Sequence, residues 1–287
     1  MIIDSHTHAW PRWPYQPPVP DDAHRGRVEQ LLHEMDLNGI DQAVLICAQI
    51  EHNPDNNAYI AEQVARFPGR LHQFADVDSV WSATHQQPGA AKRLLEMAQR
   101  HPIKGFTHYL GEHDDGAWLA SPEGLGFFQV ATERRLIASL SCYPHQQAMI
   151  RKVALAFPSL PILCHHLGWP KHGPRTPLEN LKAVLASATC PNIHIKISGF
   201  AYASRFEWDY PYFDTLDLVR AIHEHFGPQR MCWGSDYPVS RFFMTYRQTL
   251  EVLRTHCIFF SEAEMSLILG ITLRALLTER SEDLLRN

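Results

Sequence analysis

The chain has no apolar run that approaches the ~20 residues needed to cross a bilayer. Asp4 and His6 interrupt the N-terminal apolar residues before the core of a signal peptide could form. Lysine and arginine form no dense cluster, and the formal net charge of the 287 residues is -5 at pH 7. Nucleic acid binding needs a basic surface that this composition does not provide. We therefore expect a cytoplasmic protein that binds neither membranes nor nucleic acid.

Paired cysteines and a phosphate-binding loop are also missing. The six cysteines stand singly, without CxxC spacing, and several end apolar runs such as AVLIC and PILC. That context is typical of small buried side chains and not of a disulfide framework. No glycine-rich loop follows the first apolar run, which argues against a doubly wound nucleotide-binding sheet. The remaining composition, 45% hydrophobic and 20% charged, is that of an ordinary globular protein.

The chain does contain a regular alternation of short apolar runs with longer segments of helical spacing. Strict alternation of this kind implies parallel strands joined by right-handed crossovers. Eight such units close most naturally into a TIM barrel, and the chain length suits one barrel domain. The eight runs predicted as strands are Met1–Asp4, Ala43–Cys47, Leu71–Val77, Ile103–Thr107, Leu136–Ser141, Pro161–His165, Ile193–Ser198 and Met231–Asp236.

Two segments lie outside the alternation. Trp10–Asp22 holds five prolines just after the first strand, and it could serve as a lid over a substrate or as a plain surface connection. Met265–Leu277 has the spacing of an additional C-terminal helix. No internal repeat or linker divides the chain. We therefore predict a single domain over residues 1–287 with an extra C-terminal helix.

Polar residues stand where the first and last predicted strands end, which is where barrel enzymes carry their chemistry. The chain opens MIIDSHTHAW, and His6 and His8 share one face because they are two residues apart. Two such imidazoles can bind a metal or hydrogen-bond a substrate, although with 18 histidines in the chain they could also be ordinary loop residues. The eighth run, MCWGSDYP, ends in Asp236. Strands one and eight close a barrel, so we expect Asp236 beside the two histidines.

Further polar side chains follow the middle strands. His108 ends KGFTHY, and PILCHHLGWP contains the adjacent pair His165 and His166. Because neighbours on a strand face opposite sides, we expect one of the pair to point away and His166 to lie inside. Lys196 in IHIKISG is expensive to bury without a partner, although its long side chain could also reach the barrel rim.

These motifs resemble a known family. DSHTHAW, KGFTH, HHLGWP, KISG and CWGSDYPV are similar to the motifs of the amidohydrolase superfamily, in particular its amidohydrolase 2 group. Within that group they most resemble the sugar-acid and pyrone dicarboxylate lactonases, and the resemblance covers almost the whole chain. It implies a distorted TIM barrel whose hydrolytic centre consists of His6, His8 and Asp236, with His166 as the matching histidine of strand six.

The resemblance implies a hydrolase that opens a small-molecule lactone. In metal-dependent members one zinc or manganese ion would be held by residues that match His6, His8 and Asp236, and it lowers the pKa of its water to ~7. Asp236 would take a proton from the attacking water. His166 and His108 would steady the carbonyl oxygen or the leaving alkoxide.

Two departures from the family pattern limit this reading. Binuclear members carry a histidine after strand five, but LIASLSCYPH lacks it there, so we expect at most one metal ion or none. The arginines that bind a dicarboxylate are also missing, apart from Arg205 after strand seven and Arg241 after strand eight. Lys196, Trp169 and Arg205 remain as candidate substrate-binding residues for a neutral or singly charged substrate. Loop aromatics suited to a ring face are Trp10, Trp13, Trp169, Tyr202, Trp208 and Tyr210.

Two other functions stay open. The same HxH, histidine and aspartate occur in nonoxidative decarboxylases of the amino-carboxymuconate type, which hold one zinc ion but usually carry a further histidine on strand five. A catalytically inert barrel kept for binding would be expected to lose ionisable residues at its strand ends, and this chain retains them. Bound metal and turnover of a lactone are the observations that separate these alternatives.

Overall fold

The computed structural model describes residues 1–15, 24–171 and 176–278. They contain eight parallel strands, each hydrogen-bonded to the next in chain order. Between the last strand and the first, the backbone N–H of Asp236 donates to the carbonyl of His6 at 2.8 Å, and that of His8 donates to Tyr237 at 2.7 Å. The predicted TIM barrel is confirmed. The strands are β1 Ile3–Thr7, β2 Gln42–Ile46, β3 Leu71–Asp76, β4 Gly105–Tyr109, β5 Ile137–Ser141, β6 Ile162–Cys164, β7 Ile193–Ile197 and β8 Met231–Trp233.

Helices cover the outside of the strands because their apolar residues recur on one face. In the first helix Val28, Leu31 and Met35 are buried, and the helix ends at Gly39, whose φ of 66° is the left-handed conformation that glycine adopts at low cost. The helices are α1 Val28–Asn38, α2 Asn56–Arg66, α3 Ala90–Arg100, α4 Pro122–Glu133, α5 Gln147–Ala156, α6 Pro177–Leu185, α7 Phe200–Ala203, α8 Phe213–Phe226, α9 Tyr246–Glu251, α10 Glu262–Ser266 and α11 Thr272–Thr278.

Apolar side chains form two layers separated by the strands. The larger layer lies between strands and helices, and it includes Phe106 and Phe127. The smaller one fills the barrel with alternate strand residues such as Ile3, Val44 and Phe74. Leu273 and Leu277 of α11 join this inner cluster, so the C-terminal helix packs against the barrel interior. The inner layer leaves the ends of the strands free for polar side chains.

The segments outside the alternation differ from the simple expectation. The predicted helix Met265–Leu277 is an α-helix interrupted by a π-helical stretch at Leu267–Ile271. Within that stretch a Cβ on Gly270 would lie 2.6 Å from the carbonyl oxygen of Met1, so the helix and the N-terminus approach closely. The proline-rich segment Trp10–Asp22 lies within the described residues only as far as Tyr15.

Two absences expected from the composition hold for the described residues. None of their helices is long and apolar enough to span a membrane. The cysteines are all free and buried, as predicted for small core side chains: Cys47, Cys142, Cys164, Cys190, Cys232 and Cys257. Burial in apolar surroundings raises the pKa of such thiols and keeps them unreactive, and it raises that of Cys164 to about 12.

Candidate active site

Three side chains converge where β1 and β8 meet at the carboxyl end of the barrel. The Nε2 atoms of His6 and His8 are 3.2 Å apart. The Oδ1 atom of Asp236 lies 3.4 Å from each of them. All three residues are buried. We call these three side chains, His6, His8 and Asp236, the cradle. Sequence analysis predicted that they lie together, because β1 presents alternate residues on one face and closure of the barrel brings β8 alongside β1.

A buried carboxylate, that of Asp4, holds β1 and the turn after β8 together below the cradle. One oxygen of Asp4 accepts the backbone N–H of His6 at 3.1 Å and that of Ser235 at 2.9 Å. Its other oxygen accepts the hydroxyl of Tyr246 at 2.9 Å. Asp236 follows directly with a φ of 57°, a left-handed conformation that a strand does not hold. The contacts of Asp4 therefore stabilise the backbone turn after β8, and this turn directs the Asp236 carboxylate towards the histidines.

The partners of His8 and Asp236 determine which of their atoms are free. His8 Nδ1 donates to the carbonyl of Ile46 at 2.7 Å, so Nε2 is the nitrogen that carries the lone pair in the neutral ring. Tyr202 donates its hydroxyl to Oδ2 of Asp236. Burial alone would raise the pKa of Asp236, but the neighbouring His166, His8 and Tyr202 outweigh it and lower the pKa below its usual value. Asp236 is thus an ionised base whose Oδ1 faces the cradle.

Both histidines of the adjacent pair point towards the cradle, so the expectation that one turns away is wrong. The ring centroids of His165 and His166 each lie 4.6 Å from that of His6. Strand alternation does not apply here because β6 ends at Cys164 and His166 has a φ of 45°. His166 Nε2 is 4.0 Å from Oδ1 of Asp236, and its Nδ1 contacts the Ser198 hydroxyl at 3.0 Å. Burial lowers the pKa of His166 to about 4.

Lys196 lies underneath the cradle and not at the barrel rim. Its side chain is fully buried, with Nζ 3.1 Å from Nδ1 of His6 and 2.7 Å from the hydroxyl of Ser139. That hydroxyl in turn is 2.7 Å from Nε2 of His165. Burial lowers the pKa of Lys196 to about 7. The prediction that Lys196 serves a substituent of the substrate does not match this position, since the cradle histidines separate it from the cavity.

A cavity of about 590 Å³ opens above the cradle. Its floor consists of His8, His166 and Asp236, and Glu51 stands at an exposed edge. No lysine or arginine is among the described residues that line it. Aromatic side chains dominate its walls: Tyr15, Trp81, Tyr109, Trp169 and Tyr202. A ring with an apolar face and few charges matches this lining.

Of the two candidate substrate-binding residues in loops, one lines the cavity and the other does not. Trp169 does line the cavity and stacks on Tyr202 with the ring centroids 5.3 Å apart. Arg205 is exposed and does not line it; its guanidinium lies over the Phe206 ring at 5.1 Å. Arg205 was predicted at the site because it follows β7 closely in sequence. The short helix α7, which lies between them, carries the chain away from the cavity mouth.

His108 also lies away from the cavity, contrary to its predicted place at the strand mouth. Its Nδ1 donates to the Val77 carbonyl at 3.0 Å, and its ring stacks on Trp118 at 5.2 Å in the outer layer. The reason is alternation: β4 runs from Gly105 to Tyr109, and Tyr109 is the residue that faces the cavity. The predicted strand ended at Thr107, so His108 was taken for a residue at the strand mouth, whereas it lies within β4 on the outward face.

Three wall residues were not predicted as site residues. Tyr109 carried a signal, since it follows His108 on a strand of alternating faces. Tyr15 belongs to the proline-rich segment for which a lid was one interpretation. Trp81 is held by its Nε1, which donates to the buried carboxylate of Asp76 at 2.7 Å. No local pattern in the sequence indicates that contact, because Asp76 ends β3 and Trp81 lies in the loop that follows.

The spacing of the cradle suits one divalent ion. Donor atoms bound tetrahedrally at 2.0–2.2 Å lie about 3.4 Å apart, and the cradle atoms have that separation. The carbonyl that accepts from His8 Nδ1 is the usual outer partner of a metal-binding histidine. His6, His165 and His166 form a second close group that shares His6. The outer partner of His6 is Lys196, which is not a usual one.

The chain belongs to the amidohydrolase family whose model matches residues 3–272. One similar protein is the L-fucono-1,5-lactonase of Burkholderia ambifaria, 26% identical over 260 residues, which are 83% of this chain and 81% of the relative. An uncharacterized protein of Sinorhizobium fredii is 27% identical over 193 residues. That match spans 64% of each chain, slightly less than two thirds of the relative's length.

Solved structures share the fold. An amidohydrolase from Burkholderia multivorans with bound zinc has a TM-score of 0.78 at 18% identity, covering 97% of this chain and 99% of that one. The 5-carboxyvanillate decarboxylase of Sphingomonas paucimobilis has a TM-score of 0.64 at 15% identity, covering 96% and 98%. These likenesses show the shared fold, and the activity of this chain has to be argued from the residues of its site.

Proposed function

We propose that the protein is a hydrolase that opens an uncharged small-molecule lactone. The observation that carries this proposal is the ionised Asp236, whose Oδ1 lies 3.4 Å from two imidazoles on the floor of an aromatic cavity. Support from relatives comes from the similarity to an L-fucono-1,5-lactonase over most of both chains.

In the proposed reaction Asp236 Oδ1 accepts a proton from a water molecule as the water oxygen attacks the lactone carbonyl. The carbonyl oxygen gains negative charge, and His166 Nε2 on the cavity floor donates to it. When the ring C–O bond breaks, the proton returns from Asp236 to the leaving alkoxide, so the product is an open-chain hydroxy acid. Tyr202, which donates to Oδ2, leaves Oδ1 as the reactive oxygen.

A divalent ion would be held by His6, His8 and Asp236 in the cradle. Such an ion supplies a Lewis acid for the carbonyl and lowers the pKa of bound water. A lactone is activated enough that the chain's own donors and base form a complete site without that contribution. We therefore treat zinc or manganese as a candidate cofactor for at most one position.

The charge of the cavity supports an uncharged substrate. A dicarboxylate would leave two anions unpaired in a space whose described lining offers no lysine or arginine. Glu51 at the edge would repel a carboxylate further. The stacked pair of Trp169 and Tyr202 offers instead a flat apolar face for a ring.

The test is turnover of a panel of neutral γ- and δ-lactones. A pH indicator detects the acid that hydrolysis releases, and turnover is measured before and after treatment with a chelator. Hydrolysis of at least one lactone, lost in Asp236→Asn, supports the proposal. A purified, folded protein that hydrolyses none of them contradicts it. Zinc and manganese contents measured on the same sample show whether turnover follows bound metal.

One observation favours nonoxidative decarboxylation as the second candidate. His165 adds a third inward imidazole beside His6 and His166, where the sequence had offered no histidine on strand five. A decarboxylase, however, must bind an aromatic carboxylate, for which the described cavity lining provides no cation. Release of carbon dioxide from a panel of hydroxybenzoates, with no lactone turnover, would favour this candidate over the first.

A further inference from the structure

The three atoms of the cradle need a proton or a cation between them. In the neutral ring of His8 the lone pair is on Nε2, because Nδ1 donates to the Ile46 carbonyl, and the carboxylate of Asp236 offers only acceptors. His6 Nε2 lies 3.2 Å from the first and 3.4 Å from the second. If His6 Nε2 also carried a lone pair, three acceptors would face each other at these distances without a hydrogen.

The other ring nitrogen of His6 determines which case applies, and Lys196 faces that nitrogen. Nζ lies 3.1 Å from His6 Nδ1 and 2.7 Å from the Ser139 hydroxyl. An ammonium has only donors, and an uncharged amine, with two N–H bonds and one lone pair, can still donate to each of these two neighbours. Within the described part of the chain no carboxylate pairs with Lys196, so the two contacts account for its position.

We propose that Lys196 is a positioning residue that keeps the ring proton of His6 on Nε2 and thereby opposes metal binding at the cradle. With Nδ1 of His6 accepting from Lys196, the neutral ring carries its hydrogen on Nε2, directed at His8 and Asp236. A metal ion would need that same Nε2 lone pair. His6 would then have to carry its proton on Nδ1, opposite the N–H of Lys196.

The same side chain organises a second histidine. Lys196 donates to the Ser139 hydroxyl, whose oxygen lies 2.7 Å from Nε2 of His165, and in this arrangement the hydroxyl hydrogen is free to point at Nε2. His165 then carries its hydrogen on Nδ1, an atom that is buried and has no hydrogen-bond partner. Lys196 therefore influences the proton positions of two histidines of the group His6, His165 and His166. This inference concerns proton positions and holds whether or not the substrate is a lactone.

The first experiment observes the tautomer directly in the metal-free wild-type protein. Histidine rings labelled with ¹⁵N are examined by long-range ¹H–¹⁵N correlation, and the His6 signals are assigned from their loss in His6→Gln. We expect a protonated Nε2 and an unprotonated Nδ1 for His6. A protonated Nδ1 on His6 overturns the proposal, and this measurement does not depend on the folding of any variant at position 196.

The second experiment measures zinc affinity by competition with a chromogenic chelator. Lys196→Met keeps an apolar chain of similar length but removes the N–H donors, so zinc should bind about ten- to a hundredfold more tightly, the scale of outer-partner effects. An affinity equal to or weaker than the wild type overturns the proposal.

The matched control is Ser139→Ala, which removes the other contact of Lys196 and leaves its donation to His6. Zinc affinity of this variant should stay within about threefold of the wild type, while the His165 tautomer changes. A gain in affinity as large as that of Lys196→Met would contradict the role of Lys196 at His6. Because neither readout is lactone turnover, failure of the proposed hydrolysis leaves this test intact.

Discussion

The carboxylate of Asp236 is held from two sides, with Oδ2 accepting from Tyr202 and Oδ1 facing His6 and His8. Asn at this position keeps the shape but removes the base that accepts the proton of water. We expect Asp236→Asn to lower kcat for a lactone by at least ~100-fold, the scale of general-base effects. Steady-state kinetics measure this, and circular dichroism shows that the fold is kept. Near-normal turnover by the folded variant would exclude Asp236 as the base.

Tyr202 allows a finer test of the same carboxylate. Tyr202→Phe removes the hydroxyl that donates to Oδ2 but leaves the ring stacked on Trp169. The freed carboxylate can rotate, so we expect kcat to fall about tenfold with little change in KM, the loss of one charge-assisted hydrogen bond.

Trp169→Ala is the matched comparison for Tyr202→Phe. It removes the stacked wall while Tyr202 still reaches Asp236, so its main effect should be a higher KM. If both variants raise KM and leave kcat unchanged, Tyr202 is a wall residue and not a positioning residue for Asp236.

For individual residues, sequence analysis predicted the members of the cradle correctly but placed two of the neighbouring histidines wrongly. His6, His8 and Asp236 follow from spacing two on a strand and from the closure of a barrel, which are local and topological rules. His108 was misplaced because the predicted strand ended at Thr107, whereas β4 continues to Tyr109 and carries His108 on its outward face. His165 was misplaced because strand β6 ends just before it, so alternation no longer holds.

The short distance between β1 and the turn after β8 depends on Gly234, which has no side chain. A Cβ on Gly234 would lie 2.7 Å from Cβ of His6 and 3.0 Å from the Ser5 hydroxyl. Gly234→Ala must therefore push β1 away from the β8 turn that carries Asp236. We expect a loss of about 1–3 kcal/mol in the free energy of unfolding, typical of overpacking, together with reduced turnover. Urea unfolding and kinetics of the same sample measure both.

Gly126 provides the control for this substitution. It lies in α4, and a Cβ there would meet nothing within 4 Å. Gly126→Ala should therefore raise the free energy of unfolding by about 1 kcal/mol through helix propensity and leave turnover unchanged. Equal effects of the two substitutions would show that the contact between Gly234 and His6 has no special weight.

The elements themselves were predictable to within a few residues, because hydrophobic alternation reports which faces are buried. Their ends were not. β8 stops at Trp233, three residues before the predicted Asp236, since the positive φ of Asp236 cannot continue a strand. The wall aromatics Tyr15, Trp81 and Trp169 come from loops, where no periodicity relates a side chain to the cavity.

For the molecule as a whole, acid stability depends on how many buried groups change their proton affinity on folding. Besides His101, six histidines among the described residues have a pKa lowered by burial: to about 4 for four of them, and well below the usual value for two. The six are His72, His108, His166, His194, His6 and His165. Burial acts in the opposite sense on two carboxylates, raising the pKa of Asp4 and Asp76 to about 6.

The sign of the pH dependence follows from these shifts. Between pH 6.5 and 4 the unfolded histidines bind protons that the folded ones do not, so protonation favours unfolding. The two carboxylates bind protons in the folded state over part of that range and oppose the effect, but they are fewer. Each histidine can contribute up to about 1.4 kcal/mol per pH unit. We therefore expect the free energy of unfolding to fall by at least about 1 kcal/mol per unit as pH drops from 6.5 to 4.

Urea unfolding at pH 7, 6, 5 and 4 measures this dependence, and His194 provides a variant remote from the cradle. His194 is almost completely buried on β7, where its Nδ1 contacts the carbonyl of Asn192 at 3.3 Å. His194→Gln removes one of the groups that take up protons on unfolding, so stability should depend less steeply on pH while lactone turnover is unchanged. Stability that is constant or increases towards pH 4 would mean that Asp4 and Asp76 outweigh the histidines. The cradle would then sit in a barrel whose acid stability is governed by its carboxylates.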